Sequence, residues 1–421
     1  MTEHMTPTDR LYAIVEQGLC IGCGLCKSVA PPGVVDVRKV SSGYEAPVVT
    51  GPLDHPTVDT IYDVCPGTRV DGLPEVLHDD QTTVDNVWGP WQRIVRAWAA
   101  DPEVRHRGST GGVLTALAQF LLESGRVEFI LHVKASTTEP TFGEPTLSFT
   151  KSEILEGAGA RYGPTAPLRH VNDVLDRGQP FAFVGKPCDI GALRNWARHD
   201  RRVNALVRYW LTPVCGGFGP PAFTAEFLDR IEVDPAELTA FRYRGYGCPG
   251  PTRAETEDRV EERHYLDYWG DDESQWSLPW RCKICPDGIG EAADIAASDT
   301  WPGGSPTREG SENDPGTNAI VVRTEAGCEL LEAAIDAGAI TVEYDITPDE
   351  MSIYQPHQMR KKYAAGARHR ALAEAGRIAP VTSGLRLGEL SSEVPVEVNA
   401  AQREGVFQRI SVGKATLPTP E

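Results

Sequence analysis

The alternation of hydrophobic and polar positions predicts helices and short buried strands in the second and third quarters of the chain. The stretch GSTGGVLTALAQFLLESG predicts a helix because its apolar residues recur at helical spacing. Four of them share one face: Val113, Leu117, Phe120 and Leu121. Ser109 or Thr110 is the expected N-cap, and Gly125 follows the helix end.

Apolar runs of four to seven residues predict the strands. VEFILHV follows the helix directly, and PFAFVGKPCDIGALRNWA predicts a strand from Phe181 to Val184, a tight turn and a helix. ALVRYWLTPVCGG repeats the strand and the turn. Strands that lead into glycine-containing turns, with helices between them, predict a mainly parallel sheet whose site lies at the carboxyl ends of the strands. The predicted fold class is therefore α/β, in a mixed α+β form.

Changes in pattern predict three parts of the chain. Residues 1–78 form a small N-terminal ferredoxin-like domain with a linker, and residues 79–385 form the larger α/β domain. Near the start of the larger domain, three tryptophans lie in the amphipathic stretch NVWGPWQRIVRAWAAD, where we expect packing rather than cofactor contact. Residues 386–421 lack a clear period and are expected to form an extended or partly ordered C-terminal tail.

Composition narrows the class of protein. The 421 residues carry a net charge of −19, which disfavours nucleic acid as a partner. The longest apolar stretch, VLTALAQFLL, is about ten residues long, far short of the roughly 20 that span a bilayer. With no cationic, apolar leader in the sequence, we expect a cytoplasmic protein without membrane contact. Its ten cysteines then favour metal or cluster ligation over disulfides.

Three cysteines near the N-terminus have ferredoxin spacing. LCIGCGLCKSVAPPG places Cys20, Cys23 and Cys26 in a CxxCxxC run, which is typical of a 4Fe-4S cluster. Ala30 takes the place of the usual fourth cysteine. The nearest candidate for the missing ligand is Cys65, in DVCPGTRV.

Four more cysteines, all in predicted turns, form a second candidate set: Cys188, Cys215, Cys282 and Cys285. Tetrahedral zinc is the alternative interpretation. A cluster is favoured because only one CxxC pair is present and the two single cysteines lie far upstream. Cys328 recurs at helical spacing with apolar residues and is expected in the core, whereas Cys248 is an alternative ligand.

The turn RHRGSTGGVLTAL combines hydroxyls, glycines and free amides at a predicted helix N-terminus. Such a terminus attracts phosphate, which makes it a candidate contact for a flavin. Arg161, Tyr162 and Lys186 lie in turns, where a packing role and a cofactor role are equally open from local sequence.

The ordered motifs RGSTGGVLTALAQFLLESG, GARYGPTAPL, GKPCDIGALR, PVCGG, FRYRGYGCPG, CKICPD, ADIAASDTW and QPHQMRKK resemble the coenzyme F420 hydrogenase/dehydrogenase beta-subunit family. The resemblance spans roughly residues 85–365. With the ferredoxin-like segment in front, the layout looks most like the long branch that includes 7-hydroxymethyl chlorophyll a reductase. It implies FAD and two 4Fe-4S clusters, and family members often assemble, so a homo-oligomer is expected.

Carried over by position, the resemblance implies that the 79–385 domain binds FAD through nine residues: Gly108, Ser109, Thr110, Gly111, Gly112, Arg161, Tyr162, Lys186 and Pro187. It also implies that the second cysteine set holds a flavin-proximal cluster. Cys248 departs from the family motif, which has an aromatic residue there, so its side chain is a candidate pocket residue.

We expect an oxidoreductase in which a one-electron donor such as ferredoxin charges the clusters, and FAD reduces a small organic substrate. Tyr162 or Lys186 is the candidate catalytic proton donor. In the alternative, reduced coenzyme F420 gives hydride to FAD and the clusters feed a partner protein. A non-catalytic electron-transfer subunit and a zinc-stabilised binding module are the candidates from other classes.

Overall fold

The computed structural model describes residues 5–272, 275–311 and 313–421. Its strands in chain order are β1 (Val35–Lys39), β2 (Glu45–Val49), β3 (Arg69–Asp71), β4 (Thr83–Asp85), β5 (Gly89–Trp91), β6 (Arg93–Ala99), β7 (Phe129–Ala135), β8 (Gly143–Ser148), β9 (Phe181–Val184), β10 (Val207–Pro213), β11 (Ala240–Arg242), β12 (Thr252–Glu255), β13 (Val260–Arg263), β14 (Ile295–Asp299), β15 (Asn318–Val322), β16 (Ile340–Asp345) and β17 (Val381–Ser383).

The α-helices in chain order are α1 (Pro7–Glu16), α2 (Leu25–Val29), α3 (His55–Val64), α4 (Pro102–Arg107), α5 (Val113–Glu123), α6 (Lys151–Glu156), α7 (Val171–Asp176), α8 (Pro187–Trp196), α9 (Arg201–Leu206), α10 (Pro221–Arg230), α11 (Tyr265–Trp269), α12 (Trp280–Lys283), α13 (Glu325–Asp336), α14 (Pro348–Tyr354), α15 (Pro356–Glu374), α16 (Leu387–Glu393) and α17 (Val396–Ser411). No helix in these described ranges is long and apolar enough to cross a bilayer.

An eight-stranded sheet organises the fold, in the order β16-β6-β15-β14-β10-β9-β7-β8. The α/β class is confirmed, but a mainly parallel sheet is wrong. Only the four central strands β14, β10, β9 and β7 run parallel, and both flanks pair antiparallel. The reason lies in the connections: β7 and β8 are joined by a short loop, and no α-helix separates β14 from β15 in the described residues. Parallel neighbours need a crossover, whereas antiparallel neighbours do not.

Helices cover both faces of this sheet. Phe181 and Phe183 of β9 pack with α8, whereas Ala182 between them packs with α5 on the opposite face. This alternation follows from the two-residue period of a strand. Leu117 of α5 is fully buried in the core that contains Ala182. Burying a leucine of this kind contributes roughly 1.5–3 kcal/mol.

The predicted β9 has the predicted bounds, and α5 is also confirmed. The expected N-cap of α5 is wrong. Gly112 caps the helix in the left-handed region, with φ of 69°, and the Thr110 hydroxyl instead accepts a hydrogen bond of 2.6 Å from Asn318 Nδ2. The hydroxyl is therefore used to hold the loop against β15.

The tryptophan-rich stretch forms β5 and β6 and an edge of the core. Trp88 is buried with Met351 and Ile346, as expected for a packing residue. Cys328 lies on α13, partly buried against the core, which confirms its expected place.

The C-terminal segment differs from the expected extended tail, because it forms α16 and α17 on the surface of α15. Its apolar residues do not recur at a clear helical spacing, but Leu390 and Val406 are buried. Val406 shares a hydrophobic cluster with Leu11 of α1. Tertiary contacts therefore stabilise these two helices, which the local sequence pattern does not predict. The boundaries at 78 and 385 stay predictions.

Candidate functional site

A cavity of about 310 Å³ opens at the carboxyl ends of the parallel strands. Its walls include Lys186 after β9, Cys215 after β10 and Asp299 at the end of β14. This is the edge at which the strand pattern predicts a site. The volume lies within the roughly 300–1,000 Å³ that is usual for small-molecule sites.

The loop before α5 lines one side of this cavity. Gly108, Ser109, Thr110 and Gly112 line it, whereas Gly111 does not. A side chain at Gly111 would meet Asn318 Oδ1 at 2.7 Å. The first residue of α5, Val113, also lines the cavity. A helix N-terminus that faces a cavity suits a phosphate group, because its amides and dipole attract negative charge.

Lys186 and Asp189 form a buried ion pair in the cavity wall. Lys186 Nζ donates hydrogen bonds to Asp189 Oδ2 at 2.7 Å and to Thr165 Oγ1 at 3.1 Å. Burial lowers the pKa of Lys186, but the Asp189 carboxylate, together with Cys188 and Cys215, outweighs that effect, so the net direction is upward. The lysine is therefore a firmly held positive charge. Pro187 begins α8 and does not line the cavity.

Tyr162 belongs to an aromatic wall. Its ring meets that of Trp269 edge to face, with centroids 5.1 Å apart. Burial raises the pKa of Tyr162 although the Arg244 guanidinium, 3.5 Å from its hydroxyl, opposes this. The hydroxyl stays neutral and can donate a hydrogen bond. Arg161 lines the same cavity but donates to the carbonyls of Pro140, in a loop, and of Phe241, in β11.

Arg244 is a cavity residue outside the predicted set. Its guanidinium binds both Asp299 oxygens at 3.0 Å and donates to the Ser109 carbonyl at 2.9 Å. It also lies over the Trp301 ring, 4.5 Å from the centroid. Arg244 therefore ties the loop before α5 to the end of β14. The motif FRYRGYG contains it, but nothing local distinguishes it from the neighbouring arginine.

His132 is a second such residue. It lines the cavity from β7, and a buried hydrogen bond of 2.7 Å joins its Nε2 to Ser148 Oγ on β8. Burial, reinforced by Lys134, lowers the pKa of His132 to about 4. The ring is therefore neutral at pH 7. A histidine inside the apolar run VEFILHV is the available sequence signal.

The four N-terminal cysteines come together around a small, almost wholly apolar cavity that is lined by Cys20, Cys23, Cys26 and Cys65. Leu11, Ile14 and Val64 are among its walls. Backbone amides face two of the sulfurs: Gly22 N lies 3.4 Å from Cys20 Sγ, and Gly67 N lies 3.4 Å from Cys65 Sγ. Burial, together with the nearby Cys65, raises the pKa of Cys20 to about 12.

The second set also converges, although its members come from three regions of the chain. Cys188 lies in the first turn of α8, Cys282 is in α12, and Cys285 follows that helix. Burial and the neighbouring Cys282 raise the pKa of Cys215 to about 12. Burial and then Asp189 raise the pKa of Cys188, and Cys215 and Cys285 add to that rise. Because Cys215 lines the main cavity, this set borders it.

Cys248 belongs to neither set. It is buried next to Arg244 and Trp301, and it is absent from the cavity lining. Among the described residues, no three potential ligand side chains converge closely enough to hold a single metal ion.

Two family models cover most of the α/β part of the chain. "Coenzyme F420 hydrogenase/dehydrogenase, beta subunit N-term" matches residues 94–172, and the corresponding C-terminus model matches residues 178–346. The chain belongs to this family, which confirms the resemblance of its motifs.

Three relatives of this chain are oxidoreductases or subunits of oxidoreductases. Coenzyme F420 hydrogenase subunit beta of Methanococcus voltae is 22% identical over 65% of this chain and 92% of its own length. F420-dependent formate dehydrogenase 1 subunit beta of Methanococcus maripaludis is 30% identical over 33% of this chain and 36% of its own length. Coenzyme F420-dependent sulfite reductase of Methanocaldococcus jannaschii is 22% identical over 77% of this chain and 47% of its own length.

The fold also matches a solved structure. A chain of the F420-reducing NiFe hydrogenase complex from Methanosarcina barkeri superposes with a TM-score of 0.53 at 19% identity. The match covers 69% of this chain and 96% of that chain. At this identity the likeness concerns the fold alone.

Proposed function

We propose that the chain is an iron-sulfur flavoprotein oxidoreductase that binds FAD and two 4Fe-4S clusters. The observation that carries the proposal is the grouping of eight cysteines into two sets of four, one of which borders the main cavity. Electron transfer of this kind needs one one-electron cofactor next to the two-electron cofactor. It also needs a second one-electron cofactor closer to a redox partner.

The main cavity suits FAD in three respects. The loop from Gly108 to Gly112 and the α5 N-terminus offer amides to a diphosphate. Lys186 adds a fixed positive charge, and the wall that contains Tyr162 and Trp269 offers faces and edges for a flat ring system.

The two cysteine sets suit cubane clusters better than zinc. Apolar walls and N–H groups directed at sulfur are typical of cluster sites, where they tune the potential. Tetrahedral zinc would require four thiolates within about 2.3 Å of one point, and no described group converges so tightly. A cubane is larger, and its cysteines bind separate irons around it.

FAD would supply the exchange between paired and single electrons, which clusters alone do not provide. In our first candidate, Cys20, Cys23, Cys26 and Cys65 would hold a cluster that accepts electrons from a protein donor such as ferredoxin. The cavity then binds a small organic substrate, with Tyr162 or Lys186 as the group that holds the transferable proton. The aromatic wall gives that site an apolar side.

In the second candidate, the organic partner is reduced coenzyme F420, and electrons leave toward a partner protein or a second copy of the chain. The names of the relatives favour this version, because each name includes F420. Both versions use the same cavity and the same cysteines, and they differ in the direction of electron flow.

Anaerobic mixing experiments distinguish the two directions. Reduced coenzyme F420 and reduced ferredoxin are each added to the oxidised protein, and bleaching of flavin absorbance is followed. Bleaching by the deazaflavin alone supports the second candidate, and bleaching by ferredoxin alone supports the first. If neither bleaches a flavin that is bound, the proposed donors are wrong. Cys65→Ala is the matched variant, because it should block only the route from ferredoxin.

A further inference from the structure

We propose that Arg281 is a positioning residue that places one fixed positive charge between the two cluster sites and raises the reduction potentials of both clusters. This inference rests on the proposed function, since it requires both clusters. It concerns a residue that neither the predicted site nor the cavity contains.

The Arg281 side chain joins the two cysteine sets physically. Its Nε and Nη2 atoms donate hydrogen bonds of 2.8 and 2.6 Å to the carbonyl oxygen of Pro66, the residue after Cys65. Its backbone N–H donates to the Gly18 carbonyl at 3.1 Å, two residues before Cys20. Arg281 itself directly precedes Cys282. One residue therefore fastens the CxxC of the second set to both ends of the first.

The position of Arg281 puts its charge beside ligand residues of both sets. Cys282 follows it directly in α12, and the Pro66 carbonyl that its guanidinium binds directly follows Cys65. The guanidinium is therefore held next to a residue of each set.

Among the ion pairs of the described residues, none gives this cation a carboxylate partner. The Arg281 residue is only 1% exposed, and its guanidinium is hydrogen-bonded to a neutral carbonyl. A buried charge without an opposite charge nearby is costly. Clusters held by four thiolates are anionic and become more so on reduction, so they would supply the missing negative charge. The cation would then stabilise the reduced form of each cluster.

A neighbouring lysine offers a matched control. Lys361 Nζ donates to the Gly216 carbonyl at 2.5 Å. Its charge opposes the rise in pKa that burial and neighbouring thiols cause at Cys215 and Cys282. Lys361 therefore faces the second set, and removing it should change the potential of the second cluster alone.

The test is a redox titration followed by electron paramagnetic resonance on the full chain, after iron and sulfide have been quantified. In Arg281→Gln, which keeps donors for the Pro66 carbonyl, we expect the reduced-to-oxidised ratio of both clusters at a fixed potential to fall about tenfold, or about 59 mV for a one-electron couple. Arg281→Lys keeps the charge and should keep both potentials. Lys361→Met should shift one cluster only.

The outcomes separate this inference from the proposed function. Wild-type protein with zinc and no clusters would remove the proposed function itself. Full iron content with unchanged potentials in Arg281→Gln, or a shift of one cluster only, overturns the role of Arg281. Iron loss in both Arg281 variants also overturns it, because shape rather than charge would then matter. Iron loss in Arg281→Gln alone supports a requirement for the charge.

Discussion

Lys186 Nζ lies 2.7 Å from Asp189 Oδ2, and this ion pair spans the first turn of the helix that carries Cys188. The pair therefore lies in the wall of the main cavity and next to Cys188, a member of the second cysteine set. Asp189 is 1% exposed, and its Oδ1 atom has no hydrogen-bond partner in the protein.

Lys186→Met should destabilise the protein, because it leaves the Asp189 carboxylate buried without its cation. Breaking a buried pair in this way costs about 3–5 kcal/mol. We expect the double variant Lys186→Met with Asp189→Asn to recover most of that loss. Unfolding in denaturant measures the free energy of unfolding of the wild type, of Lys186→Met and of the double variant. A double variant no more stable than Lys186→Met would contradict the pairing.

Tyr162→Phe tests the proton donor while keeping the aromatic ring. If the hydroxyl supplies a proton, turnover should fall by about 10²-fold, with flavin content unchanged because the ring contacts with Trp269 remain. Steady-state rates and flavin absorbance measure the two effects. Unchanged turnover would remove Tyr162 from the chemistry and leave Lys186 as the candidate.

The buried His132 should make stability depend on pH. Its pKa in the folded protein is about 4 because of burial and Lys134, against roughly 6.5 in an unfolded chain. The unfolded state therefore binds more protons between these values, and stability falls as pH decreases from about 7 toward 4.

This residue alone should contribute about 1 kcal/mol of that loss between pH 7.5 and pH 5.5. Thermal unfolding at the two pH values measures it, with His132→Gln as the comparison. The variant should lose less stability on acidification than wild type, although His369 and His357 also have lowered pKa values through burial. Equal losses in both proteins would show that His132 does not titrate as described.

Cysteine variants test the two sets separately. Cys65→Ala and Cys285→Ala should each remove about four of eight irons, because each set would hold one cubane. Cys248→Ala is the control and should keep all of them, since Cys248 lies in neither set. Iron analysis and flavin absorbance are the measurements. Iron loss in the control would reassign the second set.

The sequence predicts those parts of the fold whose signal is local. Phe181–Val184 is a strand because it is a short apolar run before a turn, and α5 follows from helical spacing. The antiparallel flanks depend on loop connections, and α17 depends on packing against α15, so neither leaves a local pattern. The same distinction applies at the N-cap of α5, where a tertiary contact to Asn318 decides the outcome.

The candidate site divides in the same way. Cysteine spacing and motif order bring the two sets of four within reach of sequence analysis, and the structure brings each set together. For Arg244 and Arg281 the local sequence gives no signal, and for His132 the only signal is its place inside the apolar run VEFILHV. Each acts through partners that lie 16 or more positions away in the chain, such as Asp299, Ser148 and Pro66.

The most direct test of the central proposal is the quantification of iron, acid-labile sulfide, zinc and flavin on one anaerobically purified sample. Two cubane clusters and one flavin require about eight iron, eight sulfide and one FAD per chain. That result would support the relay of two clusters and a flavin. Zinc in place of iron, with no flavin, would contradict it and make the eight cysteines structural metal ligands.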